Sequence, residues 1–162
     1  MDTSAQRLAD DTADKVWRRL LRVQSRLEVA MSDRLRAIGL STAQAHVLTM
    51  LADREGLTQK EIGARLYVTK GNVSGLVDRL EGAGLVERRA LPGDKRAHSL
   101  HLTPAGQELA ALARVAEQSF VRETLGLLPP DRLREIDATL LELRDRIRKA
   151  GRLRRLDRTP AP

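Results

Sequence analysis

The chain has 162 residues, with 29 Lys and Arg against 22 Asp and Glu, a formal net charge of +7 and no cysteine. That length is enough for one compact unit or two small lobes with a real core, and the excess of cations favours a polyanionic partner. The lack of thiols excludes a disulfide framework, a thiolate metal site and a thiol redox switch, and no apolar run approaches the roughly 18 residues of a membrane span.

The polar, acidic start MDTSAQRLADD is unlike a signal peptide, so a soluble, cytoplasmic protein with no membrane partner is expected. From about Thr12 to Ile38, the residues Val16, Leu20, Val23, Leu27, Met31, Leu35 and Ile38 recur three or four apart, predicting one long helix that Gly39 stops. At about seven turns it exceeds what a small lobe requires, and its spare apolar stripe is expected to pack on a second copy of the chain. Trp17 stands beside Arg18 and Arg19. It either packs in a dimer core or stacks on an aromatic acid held by the arginine charge. Ser41 caps the next helix with Gln44 in the capping-box place, and Val47, Leu48 and Leu51 face inward.

After the loop Asp53–Gly56 comes the stretch that carries most of the functional signal. Thr58 and Glu61 form a second capping box, and Ile62 and Leu66 give the short helix behind it an apolar face. Tyr67 and Val68 make a turn, and Thr69 caps a further helix whose buried side is Val73, Leu76, Val77 and Leu80. Its other side presents Lys70, Asn72, Ser74 and Arg79, while Gly71 and Gly75 let the backbone come close to a phosphate or another helix. A polar N-terminal turn projecting from a packed partner helix fits the major groove, and its free amides suit a phosphate. The candidate DNA contacts here are Thr58, Gln59, Thr69, Lys70, Asn72, Ser74 and Arg79.

Gly82 and Gly84 end that helix. Leu85–Ala90 and His98–Thr103 are predicted as two short strands joined by a turn containing Pro92, Gly93 and Asp94. This wing carries Arg88, Arg89, Lys95 and Arg96, and a basic hairpin tip suits the narrow minor groove. Arg88, Asp94, Lys95 and Arg96 join the candidate contacts, with Asp94 expected as a brace that pairs with Arg96 or Arg88. Double-stranded DNA is the expected partner.

Thr103 caps and Pro104 opens a long helix marked by Leu109, Leu112, Ala116 and Phe120, running to Gly126. Pro129-Pro130 breaks the chain. From about Asp131, Leu133, Ile136, Leu140, Leu143 and Ile147 form a heptad seam. Together with the long first helix, this seam argues for a homodimer, and a dimer reads a pseudo-palindromic site. The basic run from Arg144 to Arg158 either touches flanking DNA or solvates a helix end. The expected fold is mainly α with a small β-hairpin wing. Its parts are an N-terminal dimerisation helix (1–38), a winged helix-turn-helix lobe (39–103), C-terminal dimerisation helices (104–150) and a basic flexible tail (151–162).

Asp94-Lys95-Arg96, the later Leu102-Thr103-Pro104-Ala105-Gly106, Gly84-Leu85-Val86 and Gly39-Leu40-Ser41 with Gln44 resemble the multiple antibiotic resistance regulator (MarR) family of winged-helix transcription factors. The likeness spans about residues 10 to 150. It implies a roughly triangular homodimer, usually a repressor competing with polymerase. It also implies release by a small molecule, often an aromatic acid, bound where the dimerisation helices meet the DNA-binding lobe. His46 and Met50 fall near that pocket by the same resemblance, and with Trp17 they are the candidate effector residues.

Catalysis finds little support. His98 and His101 are three apart in a strand and leave opposite faces, and no phosphate-binding glycine loop occurs. No enzyme activity, cofactor or metal is expected. Two other classes stand beside the regulator reading, a sequence-neutral architectural DNA binder and a winged-helix protein-interaction module.

Overall fold

The capping signals and apolar periodicities above become the elements of a computed structural model. It describes the backbone of residues 3–66, 70–91 and 94–156, and side-chain surroundings for 11–66, 73–91 and 98–150. In order these are α1 (Thr3–Arg36), α2 (Thr42–Asp53), β1 (Leu57–Thr58), α3 (Gln59–Leu66), α4 (Lys70–Gly82), β2 (Val86–Leu91), β3 (Asp94–Leu102), α5 (Pro104–Glu123), a 3-10 turn at Leu125–Leu127 and α6 (Pro130–Leu156). The chain is mainly helical with one small antiparallel sheet. It divides into two units, Met1–Gln118 and Ser119–Pro162.

The core of the first unit is built from the predicted stripes. Leu48 and Leu51 of α2, Ile62 of α3, Val73, Val77 and Leu80 of α4, Leu57 and Val86 of the outer strands and Leu100 of β3 are all essentially inaccessible to water. Truncating any one of the buried leucines to alanine costs about 2–5 kcal/mol in such a setting. Leu35 from the end of α1, and Ala110 and Ala113 from α5, complete the cluster.

Several boundaries differ from those expected. α1 begins at Thr3 rather than Thr12, because the residues upstream are helix-tolerant and contain no glycine or proline. It ends at Arg36 in a Schellman turn: the Leu40 amide donates to the Leu35 carbonyl at 2.9 Å, the Gly39 amide donates to that of Arg36 at 3.0 Å, and Leu35 and Leu40 are both buried. α4 stops the same way. Gly84, at φ 69°, donates to Glu81, and Leu85 donates to Leu80. Gly84 is therefore the terminating glycine, and Gly82 still belongs to the helix.

The expected hairpin wing is β2 paired with β3, and a short β1 adds a third strand at its base, in the order β1-β3-β2. β1 is two residues long, pairing Leu57 with Leu100 and Thr58 with Ser99. So short a strand has no periodicity for a sequence to display. β2 and β3 run further than expected, with pairing from Val86↔Leu102 up to Leu91↔Asp94 and an irregularity between Ala90 and Leu91. In the second unit, α5 ends at Glu123, before Gly126, and the backbone of α6 continues to Leu156, inside the segment expected as a flexible tail. Ile136, Leu140, Leu141, Leu143 and Ile147 all stand on α6 exposed to solvent.

Candidate nucleic-acid interface

α3 and α4 are held against the core by Ile62 on one side and Val73, Leu76, Val77 and Leu80 on the other. Burial of that face turns the other face of α4 outward. Ser74 is half-buried and Arg79 exposed there. The Arg79 side chain folds back along the helix, its Nη1 lying 3.6 Å from where a Cβ on residue 75 would stand. Lys70 and Asn72 sit in the first turn of α4, but their side chains, like those of Asp94, Lys95 and Arg96 and the whole of Tyr67, Val68 and Thr69, lie outside the described residues. The expected pairing of Asp94 with Arg96 or Arg88 falls there too.

Thr58 has a structural task. Its hydroxyl donates to the Glu61 carboxylate at 2.9 Å and accepts from the Glu61 amide at 3.3 Å, while its own amide donates to that carboxylate at 2.8 Å. The expected capping box is therefore present, and it occupies the hydroxyl that was a candidate DNA contact. Gln59, next along, is half-buried.

The Thr58 amide, then the Thr58 hydroxyl, hold the Glu61 carboxyl below its ordinary range. A lowered folded value contributes stability above the unfolded value, and that contribution is lost as pH falls through the folded one. Glu61→Gln should accordingly cost about 0.5 kcal/mol near neutrality, the worth of one charge in a first helical turn. Below the carboxylate range the cost should vanish. Urea unfolding at the two pH values measures it, and an equal cost at both would remove the charge from the account.

Arg88 was a candidate groove contact and a partner for Asp94. Its guanidinium donates to two carboxylates of α4, Asp78 through Nη2 and Glu81 through Nη1, and the side chain is only 23% exposed. The neighbouring Arg89 is exposed and pairs with Glu87 at 2.5 Å. Asp78 and Glu81 were not picked out in the sequence. Two acids one helical turn apart, followed by an arginine on the adjoining strand, were the available signal.

The base of the wing explains the motif Leu-Thr-Pro-x-Gly. The Thr103 hydroxyl donates to the Gly84 carbonyl at 2.6 Å and accepts from the Gly106 amide at 3.1 Å, and the Thr103 amide donates to the Leu85 carbonyl at 3.1 Å. One residue thus caps α5 and ties it to the end of α4. Nearby, His101 Nε2 lies 3.1 Å from Ser99 Oγ and its Nδ1 lies 3.5 Å from Glu55. Ser99 is buried and its hydroxyl also donates to the Arg89 carbonyl, so this trio buttresses the sheet. His98 is exposed on the opposite face.

Of the expected effector residues, His46 and Met50 stand four apart on α2, and Trp17 stands on α1. Trp17 is 57% exposed on α1, and Met50 packs partly buried against the core. His46 lines two hollows. One, of about 40 Å³, is shared with Met31, Leu35, Thr49 and Glu117, and the other, of about 480 Å³, with Glu28, Val29, Asp33 and Arg36. A separate groove of about 590 Å³ lies along Leu102, Ala110 and Val115, bordered by an ion pair between Arg114 and Asp53 at 2.5 Å. Asp53 holds the Arg114 guanidinium above its ordinary range, first by hydrogen bonding and then by charge.

A short helix, a second helix with one face sealed in the core and an antiparallel wing beside it define a winged helix-turn-helix protein. The MarR family model matches residues 38–97. The chain is 30% identical over 105 residues to an uncharacterised HTH-type transcriptional regulator of Bacillus cereus, covering 65% of this chain and 68% of that protein. It is also 30% identical over 113 residues to the HTH-type transcriptional regulator PrsX of Escherichia coli, covering 68% of each. A putative transcriptional regulatory protein for the hcr operon of Thauera aromatica is 33% identical over 85 residues, and there the match spans about half of the relative, 49% of its length.

Among solved structures, the MarR family regulator SP03579 superposes with a TM-score of 0.83 at 21% identity, covering 92% of this chain and 99% of that one. Streptococcus pneumoniae FabT in complex with DNA gives 0.75 at 20% identity, covering 85% and 99%. CouR from Rhodococcus jostii bound to p-coumaroyl-CoA gives 0.72 at 26% identity, covering 81% and 92%. This chain belongs to the MarR family of transcriptional regulators, whose members are DNA-binding regulators and not enzymes.

Proposed function

We propose that this regulator is a sequence-specific repressor that binds a pseudo-palindromic operator in the cytoplasm as a homodimer and is released by a small-molecule effector. The observation that carries the reading is α4. Its apolar face is sealed in the core, its polar face is turned outward, and the β2–β3 wing lies beside it, so that helix and hairpin address adjacent grooves of one duplex. Lys70, Asn72, Ser74 and Arg79 read the major groove, and Lys95 and Arg96 enter the minor groove. The DNA complex of FabT supports this use of the fold.

Dimerisation is supported by apolar side chains that the single chain leaves in water, among them Val16, Trp17, Val23 and Val29 on α1 and the α6 row. Residues 1–38 and 104–150 serve the dimer and 39–103 the DNA. The p-coumaroyl-CoA bound to CouR supports a small-molecule effector, and the hollow beside His46, lined also by Arg36 and by the carboxylates of Glu28 and Asp33, is the candidate seat for it. It releases the operator only if it binds the DNA-incompetent spacing of the reading helices more tightly.

The test is binding of the purified protein to DNA upstream of its own gene against random duplex, across a salt series. Preference for the upstream DNA with a protected palindrome is expected. Equal, steeply salt-dependent binding to both would favour the architectural class, and no binding to either at low salt a protein-interaction module. With an operator in hand, Asn72→Ala should weaken it by about 1–3 kcal/mol, the worth of one base contact, and leave random duplex almost unaffected. Equal weakening of both would remove Asn72 from base reading.

A further inference from the structure

We propose that Arg88 is a positioning residue, the brace that sets the angle of the wing against the reading helix, and that it makes no contact with DNA itself. The proposal rests on the reading of α4 and the wing as the DNA-binding surface. Arg88 stands in the middle of β2 and reaches back to two carboxylates, Asp78 and Glu81, one turn apart on α4. A planar guanidinium engaging two separate carboxylates fixes direction as well as distance, which a lysine's point charge does not.

The leverage of this link follows from where it sits. Below it, the wing leaves α4 through the Gly84 turn and is anchored by Thr103. Above it, β2 runs on to Leu91, at about 3.3 Å per residue some 10 Å further out. Any rotation left at the base is therefore magnified at the tip that carries Lys95 and Arg96. Arg88 ties the strand to the helix part-way along this arm and removes that freedom.

Charge points the same way. Asp78 and Glu81 occupy the C-terminal half of α4, where the helix dipole opposes carboxylates, and on a DNA-facing lobe they would also repel phosphates. With its cation committed to both, Arg88 offsets each disadvantage. Moving the guanidinium to a phosphate would leave two acids uncompensated beside the duplex.

The experiment uses Arg88→Gln, Arg88→Lys, the pair Asp78→Asn with Glu81→Gln, and the triple variant carrying Arg88→Gln with that pair. All are assayed on a duplex that the wild-type protein selects from a random pool and on a random duplex. Arg88→Gln should lower the ratio of selected to random binding about tenfold, and the slope of log affinity against log salt should stay at the wild-type value. A lost phosphate contact would reduce that slope by about 0.9. Adding Arg88→Gln to the neutralised pair should change the ratio less than twofold, and Arg88→Lys should restore only part of the loss.

Amide exchange of β2 and β3 in the free protein should quicken in both Arg88→Gln and the neutralised pair. A reduced salt slope, an undiminished tenfold loss in the neutralised background, or unchanged exchange would each overturn the assignment. Should Arg88→Gln fail to fold, the neutralised pair severs the same link from the helix side. Should the wild-type protein bind neither duplex, the DNA reading fails, and the exchange arm still decides whether Arg88 holds the wing.

Discussion

Gly106→Ala is expected to destabilise the protein by about 3 kcal/mol, a large effect for adding one methyl group. A Cβ at residue 106 would stand 1.9 Å from the carbonyl oxygen of Leu85, 2.9 Å from its carbon and 3.3 Å from Leu102 Cδ2. The first two are backbone atoms, and that carbonyl also accepts from the Thr103 amide. No rotamer change relieves the overlap, so either α5 lifts from the base of the wing or β2 shifts, and each breaks the Thr103 junction. Urea unfolding of wild type and variant measures the effect. A loss below about 0.5 kcal/mol, the range of ordinary surface substitutions, would mean that the junction gives way more easily than its hydrogen bonds imply.

Leu140→Glu combined with Leu143→Glu should convert the proposed dimer to a monomer and reduce operator affinity by about a hundredfold or more, because two linked half-sites bind far more tightly than one. Both leucines lie on α6, are substantially exposed in the single chain and take no part in the core around Leu48 and Leu100. The winged lobe should therefore keep its fold while the assembly is lost. Sedimentation across a concentration series reads the assembly, and a titration on the operator reads the affinity. A variant that remains dimeric with unchanged affinity would move the dimer contact away from α6.

Much of the lobe can be read from local chemistry alone. Both capping boxes, Ser41 with Gln44 and Thr58 with Glu61, have the hydrogen bonds their spacing implies, because they join residues three apart and depend on nothing distant. The apolar stripes of α2 and α4 are buried where their period puts them, and on α3 Ile62 is buried and Leu66 partly so.

What escaped reading depends on partners in another element of the fold. β1 exists because Leu57 and Thr58 find Leu100 and Ser99, and Arg88 points where it does because Asp78 and Glu81 wait across a turn. A basic residue on a wing reads as a groove contact from sequence, and the acids facing Arg88 are what the proposed brace rests on. Trp17, His46 and Met50 were grouped by chemistry and by family likeness, but His46 alone of the three lines the hollows described beside α2.

Thr58 belongs to two structures at once. Its backbone pairs with Ser99 in the sheet, and its side chain caps α3. The strand pairing therefore waits on closure of the long loop from β1 to β3, whereas the cap on α3, made between residues three apart, does not. Such non-local closure slows folding. A nascent chain that has made α3 and α4 but not yet β3 lacks this pairing, so competence to search DNA should arrive in one step with completion of the wing. The same coupling applies in reverse. An opening that frees β1 exposes helix pair and hairpin together, so proteolysis of the native lobe should proceed through a single cooperative unit, not by nibbling from the wing.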